Sequence, residues 1–92
     1  MHATAEIQAV PIGSSVSVRT EIQRVVALLN DHGLTVETHA SGTNVEGDLQ
    51  RILEAIGAIH DTLHAEGAVR LLTFIKLETR TDKQPTLAGK RL

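Results

Sequence analysis

The chain alternates between apolar and polar positions at two different periods. Over residues 3–12 (ATAEIQAVPI), Ala3, Ala5, Ile7 and Ala9 fall on one face and Thr4, Glu6, Gln8 and Val10 on the other. This period of two predicts a half-buried strand, which Pro11 and Gly13 end. The period then changes. Val18, Ile22, Val25, Val26 and Leu29 draw one stripe at helical spacing, with Ser17 placed to cap the helix and Gly33 to stop it. Alternation returns over residues 34–41, with Leu34, Val36, Thr38 and Ala40 on one side. Gly42 is expected to turn the chain, residues 43–46 to form a short strand, and Gly47 to close it. A second helical stripe follows: Leu49, Ile52, Leu53, Ile56, Ile59 and Leu63. Asp48 is its expected N-cap and Gly67 its stop, while Gly57 inside it suggests close approach to a neighbour. Residues 69–78 (VRLLTFIKLE) read as the last strand, and residues 79–92 as a polar loop and loosely held tail.

The order β-α-β-β-α-β, with right-handed crossovers, predicts an α+β ferredoxin-like sandwich: an antiparallel sheet with two helices on one face. Within the last strand, Val69, Leu71, Thr73, Ile75 and Leu77 are expected under the helices. Leu72 and Phe74 then lie on the opposite face, where a monomer would be wet. Apolar groups there point to a covering sheet or subunit.

Composition narrows the function. At 92 residues the chain is one domain, 1–92, small enough that subunit association would help it. No Cys is present, so a disulfide framework, a thiolate nucleophile and sulfur ligation of a metal are all excluded. No secretory leader and no apolar run near the ~20 residues of a membrane span can be read, so a cytoplasmic protein without membrane contact is expected. The net charge is -2 and the one aromatic residue is Phe74, which argues against a nucleic-acid partner.

The segment Gly42-Thr43-Asn44-Val45-Glu46-Gly47-Asp48 concentrates glycines, hydrogen-bonding side chains and carboxylates where a strand pair meets a helix start. Free amides there can receive an anion, and Glu46 can accept from an amino or cationic ligand; alternatively, the glycines shape a turn and Asp48 caps the helix. Pro11-Ile12-Gly13-Ser14-Ser15 lacks phosphate-loop spacing. His60 and His64, four residues apart, read as a surface pair rather than metal ligands. His39, near Glu37, faces either a ligand or solvent. Arg70, Lys76, Glu78, Arg80 and Asp82 form either a solvated charged face or a pocket wall at an oligomer seam. No catalytic constellation and no cofactor or metal motif is legible, so binding rather than catalysis is expected.

Three segments together carry a family resemblance: Val10-Pro11-Ile12-Gly13 with Ser17, then Gly42 to Asp48, then Arg70 to Lys83 with its Arg80-Thr81-Asp82-Lys83 ending. Over Glu6 to Lys90 the chain resembles the small thiamine-binding-protein domain family, formerly a domain of unknown function. Doubled relatives of that family bind thiamine and its hydroxymethylpyrimidine moiety. The resemblance implies a ferredoxin-like subunit, dimers or tetramers built through sheet faces or edges, and a thiamine-type ligand. Thiamine needs an acceptor for its amino group, partners for its ring nitrogens and an apolar wall. Glu46, then Thr43 or Asn44, then Phe74 or Leu72 suit these parts. The candidate ligand-binding set is therefore Gly42, Thr43, Asn44, Glu46, Phe74, Lys76 and Arg80. The family's last strand usually ends Asp-Asp-Arg, where this chain has Glu78-Thr79-Arg80 and then Thr81, so a subunit seam there is expected to differ. Two other readings stay open: a structural or regulatory oligomer holding another ligand or an anion, and a small dimeric enzyme using Glu46 or His39 for proton transfer.

Overall fold

A computed structural model describes residues 1–13 and 19–91; the expected Ser17 cap, Val18 and the serines after Gly13 lie outside them. The elements run β1 (His2–Ile12), α1 (Arg19–Asp31), β2 (Thr35–His39), β3 (Gly42–Asp48), α2 (Leu49–Ala65) and β4 (Arg70–Thr79), with a last 3-10 turn at Ala88–Lys90. The four strands form one antiparallel sheet in the order β2-β3-β1-β4. Both helices cover one face, giving the expected β-α-β-β-α-β α+β sandwich.

The core forms where the two periodicities meet. Odd-numbered residues of β1 (Ala3, Ala5, Ile7) and Val45 of β3 meet Val25 and Leu29 of α1 and Ile52, Ala55, Ile59 and Leu63 of α2. Each fully buried Ile or Leu contributes about 1.5–3 kcal/mol. Asp48 caps α2, its Oδ2 accepting from the amides of Gln50 and Arg51 at 3.1 and 3.3 Å. Gly33 and Gly67 carry φ of 73° and 114°, the left-handed backbone that ends a helix without a Cβ penalty.

Four expectations change. The β2–β3 turn lies at Ala40 and Ser41, and Gly42 opens β3, which runs on through Gly47 to Asp48. Gly57 meets nothing within 4 Å where a Cβ would stand, so it marks no close approach. In β4, Leu71 and Thr73 are half-buried beneath α2, but Ile75 and Leu77 are exposed because the helix layer stops short of this edge strand, and Val69 falls before the strand begins and is exposed too. The tail is held down: Pro85 and Leu87 are buried, and its last residues lie against the helix-free sheet face.

Candidate ligand-binding site

Strand register builds the helix-free face in rows. Glu37 pairs with Asn44, Asn44 with Glu6, and Glu6 with Lys76, so these four side chains cross all four strands in one line. The next row is Thr35, Glu46, Thr4 and Glu78. The tail lies across them. Lys90 Nζ donates to Glu78 Oε1 at 2.6 Å, and Arg91 pairs with Glu37. Between tail and sheet is a cavity of about 410 Å³ lined by Glu6, Glu37, Asn44, Lys76, Glu78, Leu87, Lys90 and Arg91 among others.

Electrostatics here follows from specific hydrogen bonds. Ser41 N–H donates to His39 Nδ1 at 3.2 Å, so the neutral ring carries its proton on Nε2. That Nε2 stands 3.1 Å from both Glu6 Oε2 and Asn44 Oδ1. Asn44 is thereby held by its oxygen, with its NH2 group left for the cavity. Glu46 is engaged more fully: Oε1 accepts from the Leu87 amide at 2.7 Å, and Oε2 lies 3.1 Å from His2 Nε2. The Leu87 amide, and after it His2 and Arg91, hold the Glu46 carboxyl below the usual range against the opposing effect of burial. Glu78 is likewise lowered, first by Lys90.

The structure divides the candidate residues. Asn44 and Lys76 meet at the cavity. Glu46 is on the same face but serves as the anchor of the tail. Thr43, 4% exposed, points the opposite way into the core side; together with Gly42 it lines a second cleft of about 280 Å³. Its parity with Val45 is the signal that separates it from Asn44 and Glu46. Phe74, opposite Gln8, is exposed beyond the cavity, and Arg80 leaves the strand to pair with Asp82, Nε to Oδ1 at 2.8 Å. Sequence reasoning did not find Glu6, Glu37, Lys90 and Arg91; Glu78 enters it only in the charged run read as either a solvated face or a pocket wall at a seam. Period two along β1 and β2 was enough to place the first two on this face.

The two histidines of α2 have other work. His60 Nε2 shares a hydrogen bond with Thr73 Oγ1 at 2.7 Å, and His64 Nδ1 lies 2.7 Å from the Ala68 carbonyl. Among the described residues no three His, Asp or Glu side chains form a group able to hold a metal ion, and no helix is long and apolar enough to cross a membrane.

An α+β sandwich with its helices on one face and a charged, tail-covered cavity on the other defines the class. The model of the family described as thiamine-binding protein matches residues 5–91, and the chain belongs to that family. A UPF0045 protein of Synechocystis is 36% identical over 90 residues, covering 98% of this chain and 74% of its own. Another, of Methanocaldococcus jannaschii, is 34% identical over 86 residues, covering 94% and 85%. The crystal structure of a hypothetical protein from the latter organism superposes with a TM-score of 0.89 at 32% identity, over 97% of this chain and 91% of that one. A Thermotoga maritima structure, whose description relates it to thiamine biosynthesis or salvage, shares the fold at a TM-score of 0.85 and 21% identity, over 98% and 95%.

Proposed function

We propose that the chain is a non-enzymatic binding protein for thiamine or its hydroxymethylpyrimidine moiety, working as a homo-oligomer. The observation that carries this reading is the row Glu37, Asn44, Glu6 and Lys76 beneath the tail. Its carboxylates suit a thiazolium cation, and the Asn44 amide and Lys76 ammonium are donors for ring nitrogens. Membership of the family supports the same ligand class. Binding, not catalysis, fits Glu46: a carboxyl held ionised by its hydrogen bonds is poorly suited to exchange protons near neutral pH. The anion reading loses its donors, because the first amides of α2 are taken by Asp48 and by the Met1 carbonyl, which accepts from Leu49 at 2.8 Å.

Self-association is supported by the exposure of β4. It is an edge strand of 10 residues with Leu72 and Phe74 exposed on one face and Ile75 and Leu77 on the other. An open edge flanked by apolar side chains is a template for a second copy. Titration calorimetry with thiamine, alongside light scattering, tests both parts. Saturable binding weakened by Glu37→Gln, and an oligomer that Phe74→Glu breaks apart, are expected. A monomer that takes up no thiamine would refute the proposal.

A further inference from the structure

The tail reaches the helix-free face through carboxylates on three different strands. Leu87 N–H donates to Glu46 Oε1 of β3 at 2.7 Å, Lys90 Nζ to Glu78 Oε1 of β4 at 2.6 Å, and Arg91 to Glu37 of β2. In the sheet order β2-β3-β1-β4, Glu37 and Glu78 belong to opposite edges, three strand spacings or about 14 Å apart across the strands. Two successive residues, Lys90 and Arg91, thus send their cations to the two edges of the sheet, with the cavity of about 410 Å³ beneath them. Six charged side chains line it: the carboxylates of Glu6, Glu37 and Glu78, and the cations of Lys76, Lys90 and Arg91. Two of the three cations come from the tail.

The three contacts are unequal. Leu87 is buried, and its amide donates to a charged acceptor. The two ion pairs beyond it are open to water: Lys90 and Glu78 are each 47% exposed, Arg91 64% and Glu37 41%. Exposed pairs of this kind shift an equilibrium by up to about fivefold each, whereas a hydrogen bond to a charged group shifts it several times further. Between the strong contact and the weak ones lies a single 3-10 turn, Ala88–Lys90, closed by Lys90 N–H donating to the Leu87 carbonyl at 3.0 Å. The end of the tail therefore lifts from the face more easily than Leu87 leaves its seat.

We propose that Lys90 and Arg91 are a built-in competitor for this cavity: their cations occupy Glu78 and Glu37, and a positively charged guest binds by taking those carboxylates from them, the end of the tail turning about Leu87. The assignment rests on the reading above that this face takes a cationic ligand. The observed affinity is then the intrinsic one reduced by the fraction of molecules whose tail is open. The device also selects by charge. A neutral guest of the same size has nothing to exchange for the tail's cations, so the closed strap excludes it.

The test is titration calorimetry with thiamine on the whole chain and on Lys90→Gln, Arg91→Gln and the two combined, all at exposed positions. Each single substitution is expected to tighten binding about two- to fivefold, and the pair up to about twentyfold. The gain from Arg91→Gln is expected to vanish where Glu37→Gln is also present, because direct competition needs that partner. A gain kept in full there is a general effect of charge and would overturn the competitor. By NMR, the Arg91 amide is expected to lose order at saturating thiamine while the Leu87 amide keeps it; an Arg91 amide as ordered with thiamine as without it would overturn the displacement. Thiamine that binds the tail variants equally or more weakly would overturn the proposal and leave the function standing. Binding by the double variant with none by the wild type would support it, and no heat from either would overturn both.

Discussion

Glu46→Ala is expected to release the C-terminal tail while leaving the sheet intact. The Glu46 side chain is 20% exposed and joins three parts of the chain: its own strand, His2 at the start of β1, and the amide of Leu87. Leu87, 8% exposed, is seated by that bond. A hydrogen bond to a charged acceptor contributes about 1.5–3 kcal/mol net. Its loss lowers the free energy of local opening by that amount, which is roughly a ten- to hundredfold faster exchange of the Leu87 amide hydrogen. Glu46→Gln keeps an oxygen acceptor and loses only the charge, so its effect is smaller, about three- to tenfold. The pH dependence has a definite sign. The folded-state pKa of Glu46 is lowered by the Leu87 amide first, then by His2 and Arg91. The latch is therefore complete at neutral pH and above, and is lost as pH falls through that lowered value. Amide exchange followed by NMR at several pH values reads all of this. Equal exchange at Leu87 in wild type, Gln and Ala variants, or a tail that tightens in acid, would refute the argument.

Two further outcomes rest on glycines. Gly57 is exposed on α2 with open space around it, so Gly57→Ala should stabilise by up to about 1 kcal/mol and raise Tm by roughly 4–8 °C per kcal/mol; a lower Tm would mean that another chain covers this helix face. At Gly47 a Cβ would stand 2.6 Å from Leu34 Cδ2, with Leu34 only 5% exposed. Gly47→Ala should therefore cost about 1–3 kcal/mol by overpacking, and Leu34→Ala combined with it should cost less than the sum of the two in chemical denaturation.

The strand and helix order was legible because each element carries an unbroken period: Ala3, Ala5 and Ile7 in β1, and Ile52, Ile59 and Leu63 in α2, are core residues as their spacing requires. The tail was not legible. Pro85 and Leu87 are isolated apolar residues in a polar run, and such residues have no period; the bond that joins the Leu87 amide to Glu46 spans 41 positions of the chain. The outer half of β4 was misjudged for a related reason. Alternation assigns Ile75 and Leu77 to the helix side correctly but says nothing about how far the helix layer reaches across the sheet. The candidate site was half legible. Asn44 and Lys76 come together because both face away from the helices, a matter of parity. Phe74 lies on the same face one row further along, and the tail's cations reach the cavity from a segment with no pattern to follow.

The short β2–β3 hairpin sets where the β1–β3 ladder ends, at Ile7 and Thr43, and it can change length without disturbing the core. In the β1–β3 register Gly42 already stands opposite Gln8, so one more residue on each side of the tip would bring a strand residue opposite Ala9 and extend the ladder hydrogen bonds. Growth beyond that meets Pro11, which has no hydrogen to donate, so the ladder weakens at the strand's natural limit. Hairpin length is thus a dial with two settings in this fold: short, with the β1–β3 ladder ending at Ile7 and Thr43, and long, with the ladder carried further along β1.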